Sequence, residues 1–135
     1  MEATELEVGA FWRFLGMRAV PDEAGAHVVR LEVRPEHMQV MGRVHGGVLA
    51  SLIDSAIALA VHEPMASGSA AATLDLNVQY LRPVEAPCVL VARGRILSRG
   101  GAVALASAEV TDSAGGPPFA VGSASYRLYP KRDNA

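Results

Sequence analysis

The chain has 135 residues, of which half are apolar and 19% are charged, and its formal net charge is −2. This composition excludes a disordered or fibrous chain, and the length predicts a single domain over residues 1–135 with a core of its own. The small net charge gives no reason to expect a nucleic-acid partner. The only cysteine, Cys88, excludes an internal disulfide and favours a reducing compartment, and we interpret it as a core residue.

Neither targeting nor membrane insertion is indicated by the sequence. Residues 1–7 are acidic and lack the basic-then-apolar order of a signal peptide. The longest apolar stretch, about residues 48–61, is shorter than the roughly 20 residues that span a bilayer, and it contains Asp54. We therefore expect a cytoplasmic protein without membrane association.

The first half of the chain predicts two helices and one strand. Residues 5–16 are typical of a short amphipathic helix that ends at Gly16. Residues 26–33 alternate between apolar and polar and predict a half-buried strand. After a loop over residues 36–45, we expect an almost wholly apolar helix over about 46–62, which ends before a proline. The side of the first helix that should be buried carries Leu6, Phe11, Phe14 and Leu15.

The second half of the chain predicts four strands joined by short turns, which makes neighbouring strands antiparallel. They cover about residues 73–81, 88–98, 102–111 and 118–129. A helix that is apolar on nearly all sides must be covered on nearly all sides. The class is therefore α+β, with a strongly curved antiparallel sheet wrapped around a long central helix. The side of the helix that stays open would need a partner, which predicts a dimer. One face of the first of these strands carries Leu74, Leu76, Val78 and Tyr80.

The apolar helix carries the strongest functional signal. It begins with His45-Gly46-Gly47, and its interior contains one carboxylate, Asp54. Such a carboxylate costs free energy unless it is paired or neutralised. A helix N-terminus opened by glycines can hold a developing negative charge. The sequence therefore predicts an oxyanion site and a general base or nucleophile on one element.

Two motifs resemble those of the hotdog-fold thioesterases, in the branch of the phenylacetate-pathway (PaaI-type) enzymes. The first combines Gly42, His45-Gly46-Gly47, Leu52 and Asp54, which lies nine residues after the histidine. The second is the run Asp-Leu-Asn-Val-Gln-Tyr-Leu-Arg-Pro over residues 75–83. The resemblance implies a hotdog subunit, a homodimer that often forms a tetramer as a dimer of dimers, and active sites shared between subunits. It also implies hydrolysis of an acyl-CoA thioester to a carboxylate and CoA.

The resemblance assigns roles to three residues of this helix. Asp54 is implied to attack the thioester carbonyl or to activate the water that does. The Gly46 N–H is implied to donate to the oxyanion, with the helix dipole behind it. His45 is implied to shape the turn and to lie near the thioester sulfur, although a lone histidine is more often a structural residue.

Two polar residues outside the helix complete the implied catalytic set. Gln39 stands where similar enzymes carry an amide that bonds the carbonyl or the water; the alternative is a solvated loop amide. Thr73 stands at the start of the next strand, where similar enzymes place a hydroxyl that positions the water. The other position used for this hydroxyl is Ala58 here, which has none. The alternative for Thr73 is an ordinary β-branched strand residue.

Four further residues are candidates for substrate and CoA binding. The guanidinium groups of Arg82, Arg95 and Arg99 could meet the CoA phosphates, because arginine matches phosphate oxygens in geometry. Taken singly, an arginine is more often a solvated surface charge, and that is the alternative for each of the three. Gly47 is expected beside the substrate, mainly to permit the tight turn.

Two other functions remain open. A hydratase or dehydratase of the same fold would use an Asp-x-Asn-Pro-x-x-His run, which this chain lacks. A non-catalytic acyl-CoA-binding module would not need a costly acid inside the helix. The resemblance implies no metal or redox cofactor. The sequence also indicates no partners for His27, His37 or His62 and no clustered cysteine or carboxylate ligands for a metal. The acyl group cannot be read from the sequence.

Overall fold

One long helix packs against the inner face of a curved, six-stranded antiparallel sheet. The computed structural model describes residues 9–85 and 87–131. The helices are α1 (Ala10–Leu15) and α2 (Gly46–His62), with a 3₁₀ turn at Pro35–His37. The strands are β1 (Arg18–Glu23), β2 (Ala26–Glu32), β3 (Ala70–Tyr80), β4 (Val89–Arg99), β5 (Val103–Asp112) and β6 (Ala120–Tyr129).

The order of strands across the sheet is β1-β2-β4-β5-β6-β3. Strand β3 precedes β4 in the chain but pairs with β6, so it forms one edge of the sheet. Thr73 of β3 lies directly opposite Tyr126 of β6, and a β-bulge follows between Thr73 and Asp75. Residues directly opposite each other point to the same face. The register therefore places the Thr73 and Tyr126 side chains together on the face that carries α2.

Small residues in the sheet allow α2 to lie very close to it. A Cβ atom at Gly94 of β4 would lie 2.3 Å from the backbone oxygen of Ala56, and one at Gly122 of β6 would lie 2.9 Å from Ile53 Cγ2. Alanines line the inner face of β5 between them. The helix is buried deeply as a result, and its fully buried side chains include Leu52, Ile53, Ile57 and Val61.

One stripe of α2 stays open in this single chain. Gly47 is exposed, and Ala50, Ser51, Asp54 and Ala58 are half-buried, whereas the rest of the helix after Gly46 is buried. These positions are three or four residues apart, so they share one side of the helix. The expectation that one side of the helix remains uncovered is confirmed, and that side carries Asp54.

The predicted long helix, the strand after Gly25 and the four later strands are confirmed within one to three residues at their ends. Strand β1 was not predicted, because Pro21 interrupts its pattern; an edge strand tolerates proline. The buried side of α1 was predicted wrongly at two positions: Phe11 and Phe14 are exposed, and Trp12 is buried instead. Leu15 is partly buried against the core, as predicted. Leu6 lies outside the described residues. Gly16 ends α1 as predicted, with φ of +83°.

The predicted alternation of inward and outward side chains along β3 is interrupted near the start of the strand. The bulge takes Leu74 out of register, and the residues opposite β6 on the inner face are Thr73, Leu76, Val78 and Tyr80. The described residues contain no helix long and apolar enough to cross a membrane.

Candidate active site

Two hydroxyl groups reach the carboxylate of Asp54 on the open stripe of α2. Thr73 Oγ1 donates to Asp54 Oδ1 at 3.0 Å. The hydroxyl of Tyr126 donates to the same Oδ1, and it lies 3.1 Å from the backbone oxygen of Asp54. The half-buried carboxylate thus has the partners that a charge on an apolar helix needs. Asp54 and Thr73, which were predicted separately, are brought together by the fold.

Tyr126 was not predicted as a site residue. Its side chain is almost wholly buried, and burial together with the Asp54 carboxylate raises the pKa of its phenol. It therefore remains protonated, and a donor, at neutral pH. A buried tyrosine usually finds a partner for its hydroxyl, so its inward position on a predicted strand was a weak signal in the sequence.

The N-terminus of α2 presents one free backbone donor. His45 is the N-cap, and its Nδ1 accepts the Gly47 N–H at 2.8 Å. The Val48 N–H donates to the His45 backbone oxygen at 2.9 Å. For the Gly46 N–H, no acceptor exists among the described residues. The group predicted to hold the oxyanion is therefore available, and the positive end of the helix dipole lies behind it.

The two histidines of this turn have structural partners. Because His45 Nδ1 accepts a hydrogen bond, a neutral ring carries its proton on Nε2. The His45 N–H donates to the His37 backbone oxygen at 2.8 Å. The buried His37 ring accepts from the Arg34 N–H and lies 2.7 Å from the Leu15 oxygen. The sequence did not indicate a partner for His37, and the structure makes it the support of the turn.

Gln39 lies in the loop before the helix. Its side-chain Oε1 accepts the N–H of Met41, and its backbone closes the loop with Arg43 and Gly42 at 2.7 and 3.0 Å. Gly42 has φ of +80°, which suits glycine at this turn. The amide of Gln39 keeps its NH₂ group as a free donor within the described part of the chain.

An open groove of about 310 Å³ runs beside the N-terminus of α2. Tyr80 forms one of its walls, and its hydroxyl donates to the Gly46 backbone oxygen at 2.8 Å. The groove joins the loop of Gln39 to the end of β3. The other lining residues include Leu49, Leu81 and Arg82.

Gly46 and Asp54 do not meet within one chain. They are eight residues apart on α2, which separates their backbones by about 12 Å along the helix axis. An oxyanion donor and the group that starts the reaction must both contact one reacting carbonyl. A single copy of α2 therefore cannot supply both groups to the same thioester.

The three candidate arginines lie in different places. Arg82 lines the groove, stacks 4.0 Å over the Phe119 ring and donates to Pro117. Arg95 donates to the Ala24 oxygen in the turn between β1 and β2. Arg99 donates to the Val61 oxygen near the end of α2. Only Arg82 lies beside the helix entrance within one chain.

Three further titratable residues, His27, His62 and Cys88, do not line the groove. The His27 Nδ1 is 2.6 Å from a Glu63 carboxylate oxygen and 3.3 Å from one of Asp22. Burial, together with the charge of Arg99, lowers the pKa of His62. Burial and Asp112 raise the pKa of the Cys88 thiol, which packs against the core as predicted.

Comparison with known proteins shows where the chain belongs. The family model of the thioesterase superfamily matches residues 41–118. Human acyl-coenzyme A thioesterase 13 is 31% identical over 121 residues, which cover 87% of this chain and 84% of that protein. A mutant of the phenylacetic acid degradation protein PaaI from Thermus thermophilus is 30% identical, with a TM-score of 0.77 and coverage of 88% and 98%.

A thioesterase from Haemophilus influenzae shares the fold at 21% identity, with a TM-score of 0.85 over 93% of this chain and 87% of that one. The chain belongs to the thioesterase superfamily, in its hotdog-fold, PaaI-like branch. It is a thioester hydrolase. The family and fold expected from the two motifs are confirmed.

Proposed function

We propose that this thioester hydrolase acts on acyl-CoA, releases a carboxylate and free CoA, and uses Asp54 to start the reaction. The observation that carries the proposal is the Asp54 carboxylate on the open stripe of α2, held by two hydroxyl groups. The name of the human relative, an acyl-coenzyme A thioesterase, supports CoA as the leaving group.

The carboxylate can open the thioester in two ways. As a nucleophile, it bonds to the carbonyl carbon, the C–S bond breaks, CoA leaves as a thiolate, and water hydrolyses the resulting anhydride. As a general base, it takes a proton from water while the hydroxide adds to the carbonyl. The C–S bond breaks when the tetrahedral intermediate collapses, and CoA leaves as a thiolate that takes up the proton from Asp54. Both routes consume one water and place negative charge on the carbonyl oxygen.

The Gly46 N–H is the proposed donor to that oxygen. It is available, it stands at the first position of α2, and glycine allows the substrate to approach the backbone closely. His45 fixes this geometry by capping the next residue, Gly47. We propose that His45 Nε2 faces the thioester sulfur and that Gly47 shapes the turn beside it.

Gln39 and Thr73 support the reacting groups in this proposal. The free NH₂ group of Gln39 can donate to the carbonyl or to water from the groove that it lines. The Thr73 hydroxyl uses its hydrogen on Asp54, and its oxygen can still accept a hydrogen from the attacking water.

The active site is proposed to be completed by a second copy of the chain. The distance between Gly46 and Asp54 along α2 supports this, because an antiparallel copy of the helix can bring Gly46 of one chain beside Asp54 of the other. The open stripe of α2 consists largely of small side chains, which permit a close neighbour. Homodimeric symmetry would then produce two equal sites.

Strand β3 supports the same dimer. It is an edge strand, and it exposes Leu74, Leu76 and Tyr80. Long apolar edge strands pair readily with another chain. Pairing two copies of β3 would extend both sheets and cover these side chains. A tetramer of two such dimers could cover the outer sheet face, where Val103 and Leu105 are exposed.

CoA binding is proposed to begin at Arg82, which lines the groove and whose guanidinium is held flat against Phe119. Arg95 and Arg99 lie elsewhere on one chain, so they could contribute phosphate contacts only as part of an assembled dimer. We propose a cytoplasmic location, since the single cysteine suits a reducing compartment.

The test is thiol release from a panel of aryl, hydroxyaryl and medium-chain acyl-CoA esters. We expect turnover by the wild type and a fall in kcat of roughly 100-fold or more in Asp54→Asn, with an unchanged oligomer. Asp112→Asn is the matched control, because it makes the same isosteric change at an acid whose Oδ1 accepts the Ala114 N–H in a turn and which does not line the groove. Near-normal turnover in Asp54→Asn would contradict the role of Asp54, and absence of CoA release from every ester would favour the binding module.

Oxygen-18 labelling separates the two routes. In a single turnover in labelled water, label that enters the Asp54 carboxylate would identify the nucleophilic route.

A further inference from the structure

Both hydroxyl groups that reach Asp54 donate to the same carboxylate oxygen. Thr73 and Tyr126 lie opposite each other on β3 and β6, and both bond Oδ1. Among the described residues, no donor reaches Oδ2. The two oxygens of the carboxylate are therefore different in this site, although they are chemically equivalent in a free aspartate.

Tyr126 is the more rigid of the two donors. Its side chain is 3% exposed, and its hydroxyl lies between Oδ1 and the backbone oxygen of the same aspartate. Thr73, in contrast, lies on the exposed edge strand. A β-bulge directly after Thr73 bends β3 at this point, and bulges commonly re-aim side chains beside functional sites.

We propose that Tyr126 is a positioning residue that fixes the Asp54 carboxylate through Oδ1 and thereby makes Oδ2 the oxygen that attacks the thioester or takes the proton from water. This inference rests on the proposed role of Asp54. Rotation of the carboxylate would exchange the two oxygens and misdirect the reacting lone pair. The paired donors on Oδ1 oppose this rotation, so the reacting oxygen is in place before the substrate binds.

Burial and the nearby carboxylate raise the pKa of Tyr126, so the phenol stays a hydrogen-bond donor at neutral pH. A tyrosine that only filled the core would affect stability alone. A tyrosine that positions Asp54 would also lower kcat while leaving KM nearly unchanged.

The experiment compares Tyr126→Phe with Tyr129→Phe in the full-length protein on the best acyl-CoA ester of the panel. Tyr129 is the matched control, because it lies on the same strand with its side chain exposed. For Tyr126→Phe we expect kcat to fall about tenfold or more, the scale of a lost hydrogen bond to a charged group, with KM changed less than about twofold.

A second variant keeps the ring and its hydroxyl. Genetically encoded 3-fluorotyrosine at position 126 still donates to Oδ1, and we expect kcat to stay within about twofold of the wild type. Its fluorine NMR resonance should move when Asp54→Asn is added, because the ring then has a different hydrogen-bond partner. This variant carries the test even if Tyr126→Phe does not fold.

The outcomes separate this inference from the proposed function. Loss of kcat in Tyr126→Phe, with kcat retained in the fluorotyrosine variant, would support Tyr126 as a positioning residue. Turnover that is lost in Asp54→Asn but unchanged in Tyr126→Phe, or a fluorine resonance that does not respond to Asp54→Asn, would overturn this inference alone. Failure of the wild type to release CoA from any ester would overturn both.

Discussion

The hydroxyl of Tyr80 donates a hydrogen bond of 2.8 Å to the backbone oxygen of Gly46, and its ring occupies the space beside that glycine. A Cβ atom at position 46 would lie 3.2 Å from Cζ of the ring. Two separate requirements therefore favour glycine at the start of α2. One is room for Tyr80, and the other is access of the substrate to the N–H.

Two substitutions at Gly46 distinguish these reasons. Gly46→Ala and Gly46→Pro both add the same Cβ atom, but only proline removes the N–H. Proline is favoured at the first position of a helix, and the extended backbone of His45 suits a following proline. We expect kcat/KM of Gly46→Pro to be about 100-fold below that of Gly46→Ala, the scale of one oxyanion donor. Equal activities would mean that the N–H takes no part.

Mixed dimers test whether Gly46 and Asp54 act across two chains. Asp54→Asn and Gly46→Pro chains would be co-expressed with different affinity tags, and dimers carrying both tags isolated. If each site takes one residue from each chain, a mixed dimer has one intact site. We expect it to recover about half of the wild-type activity. Mixed dimers that are no more active than the Asp54→Asn and Gly46→Pro homodimers would refute a shared site.

A charge on β3 tests the proposed dimer edge. Leu76 is on this edge strand and partly exposed, so Leu76→Glu would leave an unpaired charge at the joined sheets. We expect the variant to sediment as a monomer at micromolar concentration and to lose thioesterase activity. Leu105→Glu on the outer face of β5 is the control, and it should remain at least dimeric. A dimer of unchanged stability in Leu76→Glu would argue against this edge.

The lowered pKa of His62 predicts that the free energy of unfolding depends on pH. Its pKa is lowered in the folded protein by burial and by nearby positive charge. As pH falls below about 6.5, the unfolded chain binds a proton at this site before the folded chain does. The folded state therefore loses stability as the pH falls, until it too binds the proton at its lower pKa.

The measurement is the urea midpoint between about pH 7.5 and pH 5.5. The wild type should lose stability over this range, and His62→Gln, which stays neutral, should lose less. An identical decline in both proteins would show that His62 does not contribute.

Local patterns determined much of this protein. The limits of α2 follow from a glycine-opened start, an apolar run and a proline after its end, which act on the backbone within a few residues. The same stretch of sequence marks Asp54, Gly46 and His45, and with the run around Tyr80 it indicates the family. These features can be predicted from the sequence because each depends on residues that are close together in the chain.

Tertiary structure decided the relations between distant residues. Tyr126 reaches Asp54 from 72 residues away, and only the register of β6 on β3 places it opposite Thr73. Alternation along a strand predicts which side chains point inward, but it does not determine the partner strand or its register. Similarly, the distance between Gly46 and Asp54 along α2 pointed to a second chain only after the structure showed that one side of the helix is open. Pairing across a sheet and burial against a helix are set by the packing of the whole chain, so these contacts could not be read from sequence.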